Sequence, residues 1–233
     1  MKKISLVGAL ALVAGHLVAA EANPKDEIAN AAKKLGEKPN YSWNTTVVVP
    51  EGSPFRPGPT EGKTEKDGFT HVKMSFGENT SQAVIKGDNA AVTNPEGGWQ
   101  SVAELDNEEG PRRFMGLMVR NIRTPAVQAG ELASFAKELK KDGETYSSEL
   151  TEDGAKTLLR FRRGGDGPSI SNAKGSVKFW LKDGALSKYE YKVTGTISFN
   201  GNDRDVDRTT TVEIKDVGAT KVEVPEEAKK KLP

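Results

Sequence analysis

The residue types that most often carry catalysis or bind metals are scarce in this sequence. Its 233 residues include two histidines and no cysteine, and His16 lies in an apolar N-terminal run. His71 is then the one imidazole of the remaining chain, on the polar side of a predicted strand. No GxSxG elbow accompanies it and no HExxH spacing occurs, so neither a serine triad nor a zinc site is predicted. We expect no catalytic residue, no metal ligand and no cofactor.

The carboxylates are numerous, but they occur in runs that are typical of turns. Acidic residues cluster at 106–109, 152–153 and 226–227. A hydrolase that uses two carboxylates needs a pair that meets in space, and no cluster singles out such a pair. A carboxylate-dependent hydrolase therefore stays open as one alternative.

The segment from Asn200 to Asp207 has oxygen ligands at alternating positions, as calcium loops do. Arg204 and the lack of a distal glutamate break the EF-hand pattern. We favour an Asn-Gly hairpin turn followed by a charged strand edge, and calcium binding is left open.

The remaining candidate site is apolar. Phe114, Met115, Leu117 and Met118 bring large, flexible side chains together in one predicted helix, and methionine-rich surfaces adapt to varied apolar ligands. We expect aromatic residues of the strands to face this helix across a concave sheet. The residues predicted to bind an apolar ligand are Trp43, Phe76, Trp99, Phe114, Leu117, Met118, Phe179 and Tyr191. The alternative is that these side chains pack together as a filled core, the default of close-packed interiors.

Three consecutive strands between Gly175 and Gly218 are the platform for such a site. Apolar and aromatic residues alternate with polar ones along this stretch, which indicates antiparallel strands with one buried face. A turn is predicted at Lys182-Asp183-Gly184. The apolar face of this sheet must be covered by another part of the chain.

The rest of the chain supplies further strands and the helices that cover them. Strands are predicted over 41–49, 69–76, 82–86, 89–93, 146–150 and 220–224, and helices over 24–36, 111–122, 125–142 and 225–232. Residues 99–102 fit a short strand or the approach to a helix, and residues 151–159 a short helix or an irregular segment. Residues 50–68 and 161–174 are rich in glycine, proline or polar residues and predict loops. The fold class is α+β, with a curved antiparallel β-sheet and helices packed on its concave face.

The N-terminus is typical of a secretory signal peptide. A basic Met1-Lys2-Lys3 precedes an apolar run that ends in Val18-Ala19-Ala20, with small residues before Glu21. The run is too short for a comfortable transmembrane span. We predict a signal peptide over residues 1–20, one domain over residues 21–233, and a periplasmic or secreted protein that is soluble after cleavage.

The charge balance argues against nucleic acid as a partner. Residues 1–20 contain two of the 34 basic residues and none of the 33 acidic ones, so the rest of the chain has a formal charge of −1. A surface that binds nucleic acid needs a concentrated positive field.

The order of elements and two segments resemble the bacterial lipoprotein-carrier fold. This group includes periplasmic lipoprotein carriers, outer-membrane lipoprotein receptors and mycobacterial lipid-binding lipoproteins. The first segment is Lys178-Phe179-Trp180-Leu181-Lys182-Asp183-Gly184, followed by Leu186 and Tyr189. The second is Val222-Glu223-Val224-Pro225-Glu226-Glu227-Ala228.

The resemblance implies a half-open barrel with helices on the concave side and acyl chains bound between them. Two features depart from it. The carriers latch their helical lid with an arginine on an early strand, whereas residues 41–49 contain none and Arg56 lies in the loop beyond. The receptors and the mycobacterial relatives are anchored through a cysteine, which this chain lacks. The resemblance therefore supports the fold more than lipoprotein transport.

The leading hypothesis is an exported, non-enzymatic protein that binds a lipid, an acylated peptide or another apolar ligand between sheet and helices. The first alternative is a structural or protein-interaction module of the cell envelope with a filled core. No protein partner can be named from these residues.

We predict that the exported protein begins at Glu21, because small residues precede this position. The intact mass of the protein recovered from the envelope or the medium checks the cleavage site. An Ala20→Arg variant, which puts a large cation before the cleaved bond, should retain residues 1–20. A wild-type protein that keeps the N-terminal segment would contradict the prediction.

Overall fold

A computed structural model of the chain describes residues 23–53, 56–77, 79–160, 168–199 and 201–232. The predicted signal peptide over residues 1–20 lies outside the described residues, as do residues 161–167 of the second predicted loop.

The strands of the described chain form one open antiparallel sheet. Their order across the sheet is β6-β5-β4-β3-β2-β1-β11-β10-β9-β8-β7, so β6 and β7 are its two edges and the sheet is not closed. The strands are β1 (Asn40–Val48), β2 (Thr60–Glu65), β3 (Thr70–Phe76), β4 (Asn79–Lys86), β5 (Asn89–Thr93), β6 (Trp99–Ser101), β7 (Lys140–Asp142), β8 (Thr145–Glu149), β9 (Ser169–Lys182), β10 (Ala185–Phe199) and β11 (Asn202–Lys215).

Six helices accompany the sheet in the described residues. They are α1 (Pro24–Gly36), α2 (Val102–Leu105), α3 (Gly110–Arg120), α4 (Pro125–Phe135), α5 (Glu152–Leu159) and α6 (Glu226–Lys229). Asn23 caps α1 by accepting a hydrogen bond from the backbone of Lys25, and Pro24 occupies the first turn, where its missing N–H costs nothing. None of these helices is both long and apolar enough to cross a membrane.

The predicted fold class is confirmed. Buried residues of α1 to α5 belong to the same apolar cluster as the inward-facing residues of the sheet, among them Trp43, Val92, Phe179 and Tyr189. These helices therefore cover one face, as expected of a curved sheet that works as a half-open barrel. The short α6 is the exception, because it follows a segment on the opposite face.

The three-strand platform is also confirmed, as β9, β10 and β11. Asp183 and Gly184 form the turn between β9 and β10 with φ angles of 52° and 73°, which is the backbone that a tight hairpin requires. Register shifts interrupt the β9–β10 pairing between Leu186 and Lys188 and between Thr194 and Thr196. Such bulges bend and twist a strand pair, which suits a curved sheet.

Two predicted loops contain strand residues. β2 lies inside the predicted loop 50–68, and β9 begins at Ser169, six residues before Gly175. β2 pairs with β1 on one side and β3 on the other, and its inward positions are Thr60, Gly62 and Thr64. Because these inward positions carry small or polar residues, β2 lacks the alternation of apolar and polar residues from which strands are predicted.

The predicted strand over 220–224 is wrong. After β11 the chain crosses the outer face of the sheet without joining its hydrogen-bond ladder, and His71 Nδ1 donates to the carbonyl oxygen of Glu223 at 2.9 Å. Val84, Ala91 and Ala228 are fully buried in this region, so this segment and α6 cover a small apolar patch on the outer face.

Helix α4 ends seven residues earlier than predicted. The chain leaves the helix at Phe135, whose carbonyl oxygen accepts from the backbone N–H of Thr151 at 2.8 Å. Ala136 then forms an isolated bridge with Leu150. The apolar residues Ala136 and Leu139 are buried as predicted, but from an extended chain that leads into β7.

A polar cluster fastens α1 to the β7–β8 edge. Glu27 Oε2 accepts hydrogen bonds from Lys141 Nζ at 2.7 Å and from the Tyr146 hydroxyl at 2.5 Å. The ammonium of Lys141 and the hydroxyl of Tyr146 lower the pKa of the Glu27 carboxyl, and Glu27 in turn raises the pKa of Lys141. The cluster therefore favours the charged form of both partners.

We predict that this cluster stabilises the fold less as the pH falls. The pKa of Glu27 is lower in the folded state, so its contribution is present above the unfolded value of about 4.3 and is lost as the pH falls through the folded pKa. The difference in free energy of unfolding between wild type and Glu27→Gln should therefore be largest near pH 7 and shrink towards pH 3. Urea unfolding at several pH values measures it, and a difference that does not change with pH would refute the role given to Glu27.

Glu51→Gln is the matched control for this experiment. Glu51 is exposed in the turn after β1, so this variant removes a carboxylate of the same kind without changing the cluster.

Candidate functional site

A cleft opens between the concave face of the sheet and helix α3. It has a volume of about 270 Å³ and is walled by strands β1, β2, β3, β10 and β11 and by α3. This volume is near the lower end of the roughly 300–1,000 Å³ that ligand clefts enclose. Its apolar wall includes Val47, Val49, Pro57, Met74, Phe76, Phe114, Met118 and Tyr191.

Four of the eight residues predicted to bind an apolar ligand line this cleft. They are Phe76, at the end of β3, Phe114 and Met118, on α3, and Tyr191, on β10. Phe114 is 42% exposed although its side chain is large and apolar, so α3 presents it at the cleft rather than in a filled core.

The other four predicted residues lie away from the cleft. Trp43 and Phe179 are buried in the core, Trp99 is half-buried on the edge strand β6, and Leu117 is half-buried on α3. The ring of Trp43 covers Gly62 on β2: a Cβ atom added to Gly62 would lie 2.1 Å from a ring carbon of Trp43. Trp43 therefore fills the space above a glycine of the neighbouring strand.

A polar tether fixes α4 over the sheet beside the cleft. The Tyr189 hydroxyl donates to Gln128 Oε1 at 2.7 Å, and Gln128 Nε2 donates to the Tyr191 hydroxyl at 3.4 Å. Burial raises the pKa of the Tyr189 hydroxyl well above its usual range, so the group stays a neutral donor. The tether satisfies a hydroxyl that would otherwise be buried without a partner, which costs about 1–3 kcal/mol.

Arg208 is the charged residue among the described residues that line the cleft, and sequence reasoning missed it. It lies on β11 opposite Val193 of β10, and it lines the cleft together with the hydroxyl residues Thr45, Thr60, Ser75 and Thr210. Its Nη2 donates to the carbonyl oxygen of Leu158 at 2.5 Å. The alternation of β11 could have revealed this. Arg208 lies two residues from Val206 and two from Thr210, which both face inward, so its side chain faces inward as well. An arginine is normally expected to face solvent instead.

A larger depression, of about 630 Å³, lies on the outer face of β8 to β11. Its lining is dominated by charged and hydroxyl residues, including Lys178, Glu190 and Lys192. The described residues that line it include one aliphatic side chain, that of the buried Val177, and no aromatic or methionine side chain, whereas the smaller cleft has several. We therefore take the smaller cleft as the candidate site.

His71 and the described acidic residues of the 201–207 segment make structural contacts. His71 lies on the outer face, where its Nε2 is 3.0 Å from Gln82 Oε1. Residues 201–207 form part of a hairpin turn and the start of β11. Asp205 accepts a hydrogen bond from the Thr196 hydroxyl, and Asp207 forms an ion pair with Lys192. Asn200 lies outside the described residues. Over residues 23–53, 56–77, 79–160, 168–199 and 201–232, no group of three His, Asp or Glu residues is arranged to hold a metal ion.

Comparison with known proteins finds likeness in structure alone. No protein-family model matches the sequence, and no curated protein matches it. The chain is similar to the structure of LprF from Mycobacterium bovis, with 11% identity, 88% of this chain and 96% of that chain covered, and a TM-score of 0.46. It is also similar to lipoprotein LppX from Mycobacterium tuberculosis, with 12% identity, 86% and 96% coverage and a TM-score of 0.46.

A third similar structure is a domain from Vibrio parahaemolyticus described as an outer-membrane lipoprotein-sorting protein. Its identity is 12%, the coverage is 88% of this chain and 96% of that chain, and the TM-score is 0.32. A mycobacterial lipoprotein and an outer-membrane lipoprotein-sorting domain, the kinds of protein that the sequence resembles, are thus among the similar structures. At these identities and TM-scores the likeness carries no conclusion about what this chain binds.

We predict that Gly62→Ala destabilises the fold by about 1–3 kcal/mol, the usual cost of overpacking. The added methyl group meets the rigid indole of Trp43, which cannot move without leaving the core. Gly130→Ala is the control, because nothing lies within 4 Å of a Cβ atom at this position of α4; it should be neutral or stabilising by up to about 1 kcal/mol. Equal effects of the two variants in urea unfolding would contradict the packing described for Trp43.

Proposed function

We propose that this protein binds an apolar ligand, a lipid or an acylated peptide, in the cleft between the concave face of the sheet and α3. The observation that supports this proposal is the cleft itself, of about 270 Å³, with an apolar wall to which Phe114 contributes a large, partly exposed ring. Each buried methylene of a bound chain contributes about 0.8 kcal/mol to the free energy of binding.

The side chains at the cleft suit a binding protein better than an enzyme. The described residues that line it include no carboxylate and no histidine, the groups that general acid–base catalysis most often uses. Phe114 and Met118 instead supply an aromatic ring and a flexible thioether chain, which adapt to apolar ligands of different shape.

We propose further that the protein acts outside the cytoplasm. This follows from the predicted signal peptide over residues 1–20. A carrier or holder of apolar molecules is useful in the aqueous space of an envelope, where such molecules otherwise partition into membranes. A module with a filled core and no ligand is the alternative.

We predict that Met118→Asp weakens binding of a neutral apolar ligand at least tenfold, because it puts a charge on the apolar wall and tenfold needs only 1.4 kcal/mol. The probe is N-phenyl-1-naphthylamine, an uncharged dye whose fluorescence rises in apolar surroundings, displaced by 1-dodecanol. Titration of the mature protein gives both dissociation constants.

Val127→Asp is the matched control. Val127 is 49% exposed on α4 and does not line the cleft, so this variant makes the same chemical change elsewhere. Wild-type protein that binds neither the dye nor the alcohol would favour the filled-core module. Equal weakening in both variants would move the binding site away from the cleft.

A further inference from the structure

We propose that Arg208 makes the cleft selective for acyl chains that end in an oxyanion, a carboxylate or a phosphate, over neutral apolar molecules of the same length. This inference rests on the proposed function, since it names the class of ligand that the same cleft takes.

The guanidinium of Arg208 has hydrogen-bonding capacity that the described fold leaves unused. A guanidinium offers five N–H donors. Nη2 makes one hydrogen bond, to the carbonyl oxygen of Leu158, and Nε is buried without a partner. A buried donor without an acceptor costs free energy, and a ligand oxyanion beside the guanidinium lowers that cost.

Within the described residues, no carboxylate forms an ion pair with Arg208, whose recorded partner is the carbonyl oxygen of Leu158. Asp207, the acidic residue next to it, faces the other side of the sheet and pairs with Lys192 at 3.1 Å. Asp205 accepts from the Thr196 hydroxyl at 2.8 Å. No carboxylate is among the described residues that line the cleft, so no lining side chain opposes the attraction of an anion to Arg208.

The cleft is therefore amphipathic in the way that an ionised acyl ligand requires. Phe76, Phe114 and Met118 supply an apolar wall, whereas Arg208 and Thr210 project from one face of β11 as a cation and a hydroxyl. Arginine binds carboxylates and phosphates through paired N–H groups. One acyl chain with an anionic end satisfies both parts of the cleft, and a neutral chain satisfies the apolar wall only.

The test compares four ligands of matched chain length on the mature protein: dodecanoate, lauroyl lysophosphatidate, 1-dodecanol and methyl dodecanoate. Each displaces N-phenyl-1-naphthylamine at pH 8, below its micelle concentration. We expect wild type to prefer at least one of the two anions to both neutral ligands by about tenfold or more. The anion whose affinity exceeds that of the neutral ligands by the larger factor shows whether the cleft prefers a carboxylate or a phosphate.

Three variants assign this preference to Arg208. Arg208→Gln should lose the preference, measured as the ratio of the dissociation constants for neutral and anionic ligands within this variant, and Arg208→Lys should retain part of it because the charge remains. Arg204→Gln is the matched control, an exposed arginine on the same strand that does not line the cleft, and should behave as wild type.

The outcomes separate this inference from the function on which it rests. Wild type that binds all four ligands equally would overturn the selectivity and leave the apolar site standing. Binding of none of them would overturn both. If Arg208→Gln does not fold, because it also loses the bond to Leu158, Arg208→Lys decides the matter. A reduced preference in that variant supports the role of Arg208, and a preference equal to that of the wild type would overturn it.

Discussion

The whole structure depends on one requirement, which is to cover one face of an open sheet. In the described part of the chain, the eleven-stranded sheet does not close and so exposes two faces, of which the concave one carries the large apolar residues. Five short helices bury it, with α1 and α4 packed together over β10 and α5 over β9 and β10. Because burial of apolar area drives this packing, helix positions follow from where the sheet is most apolar. The cleft lies where α3 covers the sheet incompletely.

Polar contacts decide how firmly each helix is held. α1 is fastened at its first turns through Glu27, and α4 is held by Gln128 between two tyrosines of β10. α3 makes its contacts mainly with α2 and β5, where Gly116 lets the helix approach Leu105 closely. Polar contacts thus hold α1 and α4 over the sheet, and α3 presents Phe114 and Met118 to the cleft.

The three-strand platform could be predicted because its signal, the alternation of side chains, lies within each strand. In β9 to β11 the buried face is built from large apolar side chains at every second position, so alternation alone identifies the strands. Strand β2 was not predicted, because its inward positions hold Thr60, Gly62 and Thr64. The bulk above Gly62 comes from Trp43, on another strand. The strand predicted over residues 220–224 was wrong for the opposite reason. Val222 and Val224 alternate with polar residues as in a strand, yet this segment crosses the outer face of the sheet, where no strand edge is available for pairing.

The candidate site was predictable in part for the same reason. Phe114 and Met118 stand out as large apolar residues on a short helix, and the structure brings them to a cleft with Phe76 and Tyr191. Whether an aromatic residue of a strand lines a cleft or fills the core depends on where the helices stop, which periodicity does not encode; Trp43 and Phe179 are buried for this reason. Arg208 escaped notice because a cation on an inward position contradicts the usual pattern of a buried face.

The two edges of the sheet have a consequence for how the protein behaves at high concentration. Each edge strand, Trp99–Ser101 and Lys140–Asp142, is only three residues long, and the second consists entirely of charged residues. Short and charged edges give a neighbouring molecule few unpaired backbone groups to extend. An open sheet of eleven strands is in this way protected from joining end to end into fibres, although it never closes on itself.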